Sequence, residues 1–447
     1  MSERSARTGL VVILLVLAAS LVTIVHWRFA IFRNDVDLGI FTQVIASVGH
    51  GFSSTPEGGI DHLLVHWSPI VALGWPIVRL FGPEGLEWFQ AILVSSTLIP
   101  LWGLARARFS PGIALAVMGV CALYPLLWAN AVGDFHEMAF VPLLSATLVY
   151  SLDRRRWRLG ATAAVLLACT KEDQFVVLAG IGAICALMWR EDAHVRRFGV
   201  FLIALGVVGA AAYFGIVRNA IAPHVPYAAA HFFDWNGTSL TPATLAALLA
   251  RRLDYVLIVL APLAFLPCIS RYGLFLIPGA VEILATHQPV ATIPGAHYSA
   301  LLTGYALASF VDGSSRLAPV ARQIGAFAVA AAISLFVAIF ASPMEYWYYL
   351  YRLPNAHDAQ LERTLARLPP DADVGSEDEI FAHLSFDPNA SITVDSHEWF
   401  LYDETHYSDR WRLVDEPLVR RLVARRVYAI ASDRDGIVVL HRVTPSL

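Results

Sequence analysis

The sequence predicts an all-α polytopic membrane bundle of about eleven transmembrane helices, followed by a small soluble α/β domain. Three observations predict it. Of 447 residues, 57% are hydrophobic and only 15% charged, with a mean hydropathy of +0.58, where a soluble chain carries roughly 25% charged residues. The apolar residues collect into runs of the length that crosses a bilayer, about 20 residues. From Ser342 onward those runs stop, and Asp and Glu become frequent.

The first run, Gly9–Phe32, follows Arg4 and Arg7 and ends in His26-Trp27-Arg28-Phe29 without a small-residue cleavage pattern. It reads as a retained span with Trp27 at the outer interface, not as a secretory signal. The further candidate spans are 86–105, 111–130, 138–152, 159–170, 175–189, 198–217, 255–269, 273–287, 298–312 and 323–342.

Arginine placement gives the bundle a direction. With the N-terminus in the cytoplasm, the inner connections hold 14 basic residues and the outer ones 6, the asymmetry the positive-inside rule expects. Leu63–Phe81 is apolar enough to span, yet carries His66, Pro69, Pro76 and Arg79. A crossing there would leave 7 basic residues inside and 13 outside, so the segment is expected as an outer-face interfacial helix.

The domains then divide as 1–342, with a first outer loop over 33–85, and 343–447 outside the membrane. In the tail, Ser391–Val394, Arg426–Ala431 and Gly436–His441 read as strands and Asp358–Leu368 as a helix. The net charge of −4 and the lack of a basic tract exclude nucleic acid as a partner. The four cysteines all fall in apolar runs without metal-ligand spacing and read as packing residues.

Ionisable side chains are expensive inside a bilayer, so their placement is informative. Here they gather on the outer side. Asp35 and Asp37 precede an apolar helix; Asp37 could simply cap it, and the pair could also act as a general base or cation ligand. Asp61, His62 and His66 follow, the two histidines spaced i,i+4 as one helix face requires but too few for a metal site alone. Asp134-Phe135-His136-Glu137 occupies a short turn, where a histidine flanked by carboxylates is poised for proton transfer or anion contact. His287, His297 and Tyr298 lie on the same side.

Lys171 is the only lysine, against 31 arginines. A compact ammonium beside Glu172 and Asp173 suits a phosphate, with Glu172 holding it in place. The plainer reading is a snorkelling ion pair at a helix end. Glu282 is an isolated acid at membrane depth, a site candidate without an obvious partner.

Taken in order, these residues resemble the GT-C membrane glycosyltransferases. More closely, Asp37-Leu38-Gly39-Ile40-Phe41, Asp61-His62 with Ser68-Pro69, Asp134-Phe135-His136 and Lys171-Glu172-Asp173 resemble an uncharacterised bacterial family of predicted membrane proteins, a distant relative of that superfamily. The resemblance covers about residues 9–310. The acidic signature departs from the common GT-C Asp-Glu by reading Asp-Val-Asp.

The resemblance implies a multi-pass protein of the bacterial inner membrane. Its donor would be a polyprenyl-phosphate-linked sugar, transferred to an acceptor on the extracytoplasmic face. Asp37, with Asp35 as the alternative, would be the base. Lys171, held by Glu172, would neutralise the departing phosphate. Asp61, His62, His66, Asp134, His136, Asp173, His297 and Tyr298 would contact donor or acceptor. Metal dependence varies across the superfamily, so no cofactor is fixed and a divalent cation is admitted. Two rival readings stand: a transporter or flippase of a lipid-linked or anionic solute, with polar or broken helices at mid-membrane, and a non-catalytic assembly factor.

Overall fold

The structure is a computed structural model, and it describes residues 1–223, 225–236, 241–340, 352–369, 372–405 and 414–443. The expected domain boundary after residue 342 lies outside the described residues. The chain opens with α1 (Glu3–Ala30), capped by Ser2, whose side chain accepts from the Ser5 amide. An elbow of five residues leads to α2 (Val36–Ala46).

Two 3-10 turns, His62–Leu64 and Pro69–Gly74, precede α3 (Trp75–Ser95) and α4 (Leu98–Arg106). The expected interfacial helix over 63–81 is therefore not one helix. Its first half is turns, and its second half is the first arm of α3. That arm breaks at Gly82, which takes φ 65°, because a residue preceding proline is driven from the helical region and Pro83 then starts the second arm.

The bundle continues with α5 (Pro111–Ala122), α6 (Pro125–Val132), α7 (Val141–Asp153), α8 (Trp157–Ala168), α9 (Asp173–Met188), α10 (Ala193–Ala212), α11 (Arg218–Ile221), α12 (Pro242–Leu260), α13 (Leu276–Ala285), α14 (Ala300–Ser314) and α15 (Val320–Phe340). Among the described residues, four stretches are long and apolar enough to cross a membrane: Glu3–Ala30, Pro69–Arg106, Ala193–Ile221 and Val320–Phe340. The pair α5–α6, bent by 52°, gives a fifth if its two helices form one span.

Among the described residues, length and composition give four or five full-length spans where eleven were expected. Several expected ones are helices of 10–16 residues, about 15–24 Å long at 1.5 Å per residue. Local chemistry shortens them. The expected span 255–269 ends in 3-10 turns starting at Ala261-Pro262 and Leu266-Pro267, with Ala264 and Phe265 both left-handed between them. Proline removes the amide the next turn needs.

Two of these helices position the site. α7 starts just after Glu137–Phe140 and α14 just after His297–Ser299. At their far ends Asp153 and Asp312 meet Arg108 at 2.5 and 2.9 Å, and Arg271 joins Asp153 at 2.5 Å. A shared set of ion pairs locks one end, so the other ends are held in register.

The C-terminal domain has α16 (Ala356–Leu365), α17 (Asp378–Leu384), α18 (Glu416–Ala424) and a four-stranded sheet in the order β1-β2-β4-β3. The strands are β1 (Val374–Ser376), β2 (Trp399–Asp403), β3 (Tyr428–Arg434) and β4 (Ile437–Arg442); β1 and β2 are parallel and the other pairs antiparallel. Asn355 and Asp358 form a capping box on α16, close to the expected helix. Two expected strands appear as the β3–β4 hairpin, turned by Asp435-Gly436 with positive φ at both.

Ser391–Val394 is not a strand. The Ser391 hydroxyl takes the Thr393 amide at 3.0 Å and lies 2.6 Å from His397 Nε2, while His397 Nδ1 lies 2.5 Å from Asp373. With Ser391 and His397 both buried, this Ser–His–Asp chain staples the loop to β1. β1, β2, α17 and α18 were not legible as patterns because each is short.

Candidate functional site

The elbow between α1 and α2 carries the acidic pair. Asp35, not Asp37, is the N-cap: its side chain accepts from the Val36 amide at 2.7 Å. The expectation that Asp37 could be the capping residue fails, because α2 begins two residues earlier. Asp37 is thereby free to project from the first turn.

Asp134 holds this elbow from the bundle side. Its carboxylate pairs with Arg28 and accepts from Asn34 Nδ2 at 3.1 Å and the Asp35 amide at 2.6 Å. Arg28 also donates to the carbonyls of Arg33 and Val132. Asp134 is thus engaged in positioning the acidic loop.

Asp37 meets two histidines. One carboxylate oxygen of Asp37 and one ring nitrogen each of His136 and His297 all lie within 4.8 Å of one another. The two imidazoles stack with centroids 3.5 Å apart and planes 11° from parallel. Burial pushes the Asp37 carboxyl up to about 8, and the charges of Asp35, Asp134 and Glu137 push it the same way against Lys171. Burial also pulls His136 down to about 4. His297 is held well below the usual histidine range, first by burial and then by His136 and Lys171.

Glu137 joins the histidines to the lysine. Its oxygens lie 2.8 Å from His136 Nδ1 and 3.1 Å from Lys171 Nζ, with no exposed surface. Burial raises its pKa, but His136 and Lys171 outweigh burial and hold it well below the carboxylate range. Burial disfavours the ammonium, yet Glu137 and then Asp173 keep Lys171 firmly charged. Nζ sits 5.6 Å from the Tyr298 ring centroid, within cation–π range.

Glu172 therefore does not hold Lys171. Its carboxylate accepts from the Trp67 amide at 2.7 Å and from Tyr227 Oη at 2.5 Å, and pairs with His66 Nδ1 at 2.8 Å. Burial opposes its charge, but His66 and then Lys171 bring it down to about 2. It anchors the first outer loop and the 225–233 segment to the α8–α9 turn.

Asp61 caps the 3-10 turn through the Leu63 amide at 2.9 Å. His62 is buried between Glu57 at 2.8 Å and Ser68 at 3.0 Å. His62 and His66 do not share a helix face, since the helix ends at Leu64. Asp173 opens α9 beside Gln174. Glu282 lies in the field of Asp173, Lys171 and Glu172, so the acid left without a partner belongs to the same cluster. Glu137, expected only as a carboxylate flanking His136, is also the partner of Lys171.

The Asp37–His136–His297 set offers one oxygen and two imidazole nitrogens, a donor set suited to a borderline divalent ion such as zinc. Glu137 lies 2.8 Å from His136 Nδ1, which leaves Nε2 available to ligate and sets a carboxylate beside the ring, where partners of metal-bound histidines stand.

Residues 26–439 match the model of a family described as predicted membrane protein (DUF2079). The chain belongs to this family. No curated protein matches the sequence. Among solved structures, this DUF2079 protein resembles ArnT from Cupriavidus metallidurans in the apo state, with TM-score 0.54, 15% identity, and 97% of this chain and 98% of that chain covered. ArnT bound to undecaprenyl phosphate gives TM-score 0.54 at 13% identity, covering 95% and 97%. The Archaeoglobus fulgidus oligosaccharyltransferase in the apo form gives 0.43 at 10% identity, covering 89% and 69%, too loose to carry an argument. At these identities the likeness to ArnT is one of fold, and that fold is the GT-C type.

Proposed function

We propose that this DUF2079 protein is a GT-C-type membrane glycosyltransferase, transferring a sugar from a polyprenyl-phosphate donor to an acceptor on the extracytoplasmic face of the bacterial inner membrane. The observation that carries the reading is convergence. Asp37, His136, His297, Glu137 and Lys171 come from three turns and one helix of the outer-loop side, yet form one continuous cluster. The fold shared with ArnT, which was solved with undecaprenyl phosphate, supports it.

Asp37 takes the proton from the acceptor hydroxyl, and Lys171 faces the charge that develops on the departing phosphate. Tyr298 and the stacked histidines shape the pocket around the sugar. Glu137 and Glu172 are both ionised against a single ammonium, so these side chains alone present no net positive charge to a phosphate. A divalent cation held by Asp37, His136 and His297 would supply that charge and polarise a phosphate oxygen. The short helices α7, α8, α9, α13 and α14 complete the bundle alongside the longer spans, with the N-terminus inside and the C-terminal domain outside.

The test is transfer by purified protein in nanodiscs supplied with polyprenyl-phosphate sugars. Asp37→Asn is expected to lower turnover about 10²-fold or more. Full turnover by both Asp37→Asn and Lys171→Ala would refute the assignment. The break at Ala264-Phe265 favours the transporter as the second reading, which proteoliposome uptake insensitive to Asp37→Asn would establish.

A further inference from the structure

We infer that α17 of the C-terminal domain is a positioning brace for Asp37, gripping both arms of the α1–α2 elbow on which that carboxylate stands. The inference rests on the transferase reading above and gives the C-terminal domain its part in it.

The first arm is held by stacking. The His383 ring lies between Phe29 and Phe32, with centroids 3.9 and 3.8 Å away and planes 26° and 20° from parallel. Phe32 adopts φ 53°, a left-handed backbone that a bulky residue keeps only when its surroundings impose it. Burial keeps His383 neutral, down to about 3, so the stack carries no charge to hydrate. One residue on, Arg33 pairs with Glu379 at 2.8 Å.

The second arm is held by close approach. A Cβ at Gly39 would fall 2.2 and 2.4 Å from Phe381 Cε1 and Cδ1, so the buried ring lies directly on the bare backbone of α2. Residues 37 and 39 are about 200° apart around a helix. Phe381 therefore supports the face of α2 turned away from Asp37. One turn on, Gln43 Nε2 donates to the carbonyls of Asp387 at 3.0 Å and Ala390 at 2.9 Å.

The packing is continuous across the boundary. Ala382 belongs to the bundle's buried cluster, Phe32 to a cluster of the C-terminal domain, and Val36 packs with Phe381. Asp134 and Arg28 hold the elbow from within and α17 holds it from outside. Asp37 between them is delivered to His136 and His297. A displacement of about 1 Å in such a group lowers turnover by about 10²-fold.

The experiment uses the full chain in nanodiscs, with Phe381→Ala, Gly39→Ala and the compensating pair Gly39→Ala/Phe381→Leu. Phe381→Ala and Gly39→Ala are expected to lower kcat at least about tenfold with KM for the lipid-linked donor within about twofold. The pair is expected to regain most of kcat. Hydrogen exchange of residues 36–46 is expected to accelerate in Phe381→Ala while α3 and α14 stay protected. Unchanged kcat, a loss confined to KM, or exchange that rises throughout the bundle would overturn the brace. Should the wild-type chain transfer no sugar, exchange decides alone. Acceleration confined to α2 retains the brace and sinks only the transferase reading, and unchanged exchange sinks the brace.

Discussion

Lys171 pairs with Glu137 at 3.1 Å and not with its neighbour Glu172. The contact joins the α8–α9 turn to the turn before α7, and both partners are buried. A buried charge that loses its partner leaves the other uncompensated, at about 3–5 kcal/mol. Lys171→Met is therefore expected to destabilise the protein by that order, read as a lower midpoint in chemical denaturation. Lys171→Met/Glu137→Gln should recover most of the stability and none of the transfer activity.

Glu172 joins three segments through His66, the Trp67 amide and Tyr227. Glu172→Gln keeps the shape but removes the charge, weakening each charge-assisted bond by about 1–2 kcal/mol. Residues 65–68 and 225–230 should then become more open to protease or hydrogen exchange, while residues 36–46 keep their protection. Equal exposure of both regions would contradict this division of labour.

The Asp37 carboxyl, pushed up to about 8, keeps its proton at neutral pH when no cation is bound. A base must be ionised to work, so kcat/KM should rise with pH through a midpoint near 8 without added metal, and Asp37→Asn should remove that limb. The sign for stability is opposite. Between its usual value and 8 the folded state binds a proton the unfolded state has released, so this group makes stability fall as pH rises across that window.

His136, His297 and Asp37 should bind cobalt or zinc in calorimetric titration. His297→Ala should abolish high-affinity binding. Glu137→Gln, which loosens the partner of His136 Nδ1, should weaken it about 10–100-fold. Binding indifferent to both substitutions would place the metal elsewhere.

Much of this protein follows from local chemistry, which the sequence displays. Hydrophobicity, the run at Gly9–Phe32 and the polar tail determine a membrane protein with an appended domain, because transfer to lipid depends on composition along the chain. The DLG-IF, DFHE and KED segments mark the chemistry, because isolated ionisable groups near a bilayer need a reason. The β3–β4 hairpin is legible because Asp-Gly encodes its turn.

What folding decided is which of these groups meet. Asp35 became the cap and Asp37 the free carboxylate, since two residues of helix register separate those fates. Glu137 took Lys171, and Glu172 turned to His66, because ion pairing acts through space over a few ångströms and is blind to sequence adjacency. The expected spans broke at prolines and at two left-handed residues that no hydropathy window detects. The brace of α17 on Gly39 joins residues over 300 positions apart, and only packing in three dimensions brings Phe381 onto that glycine.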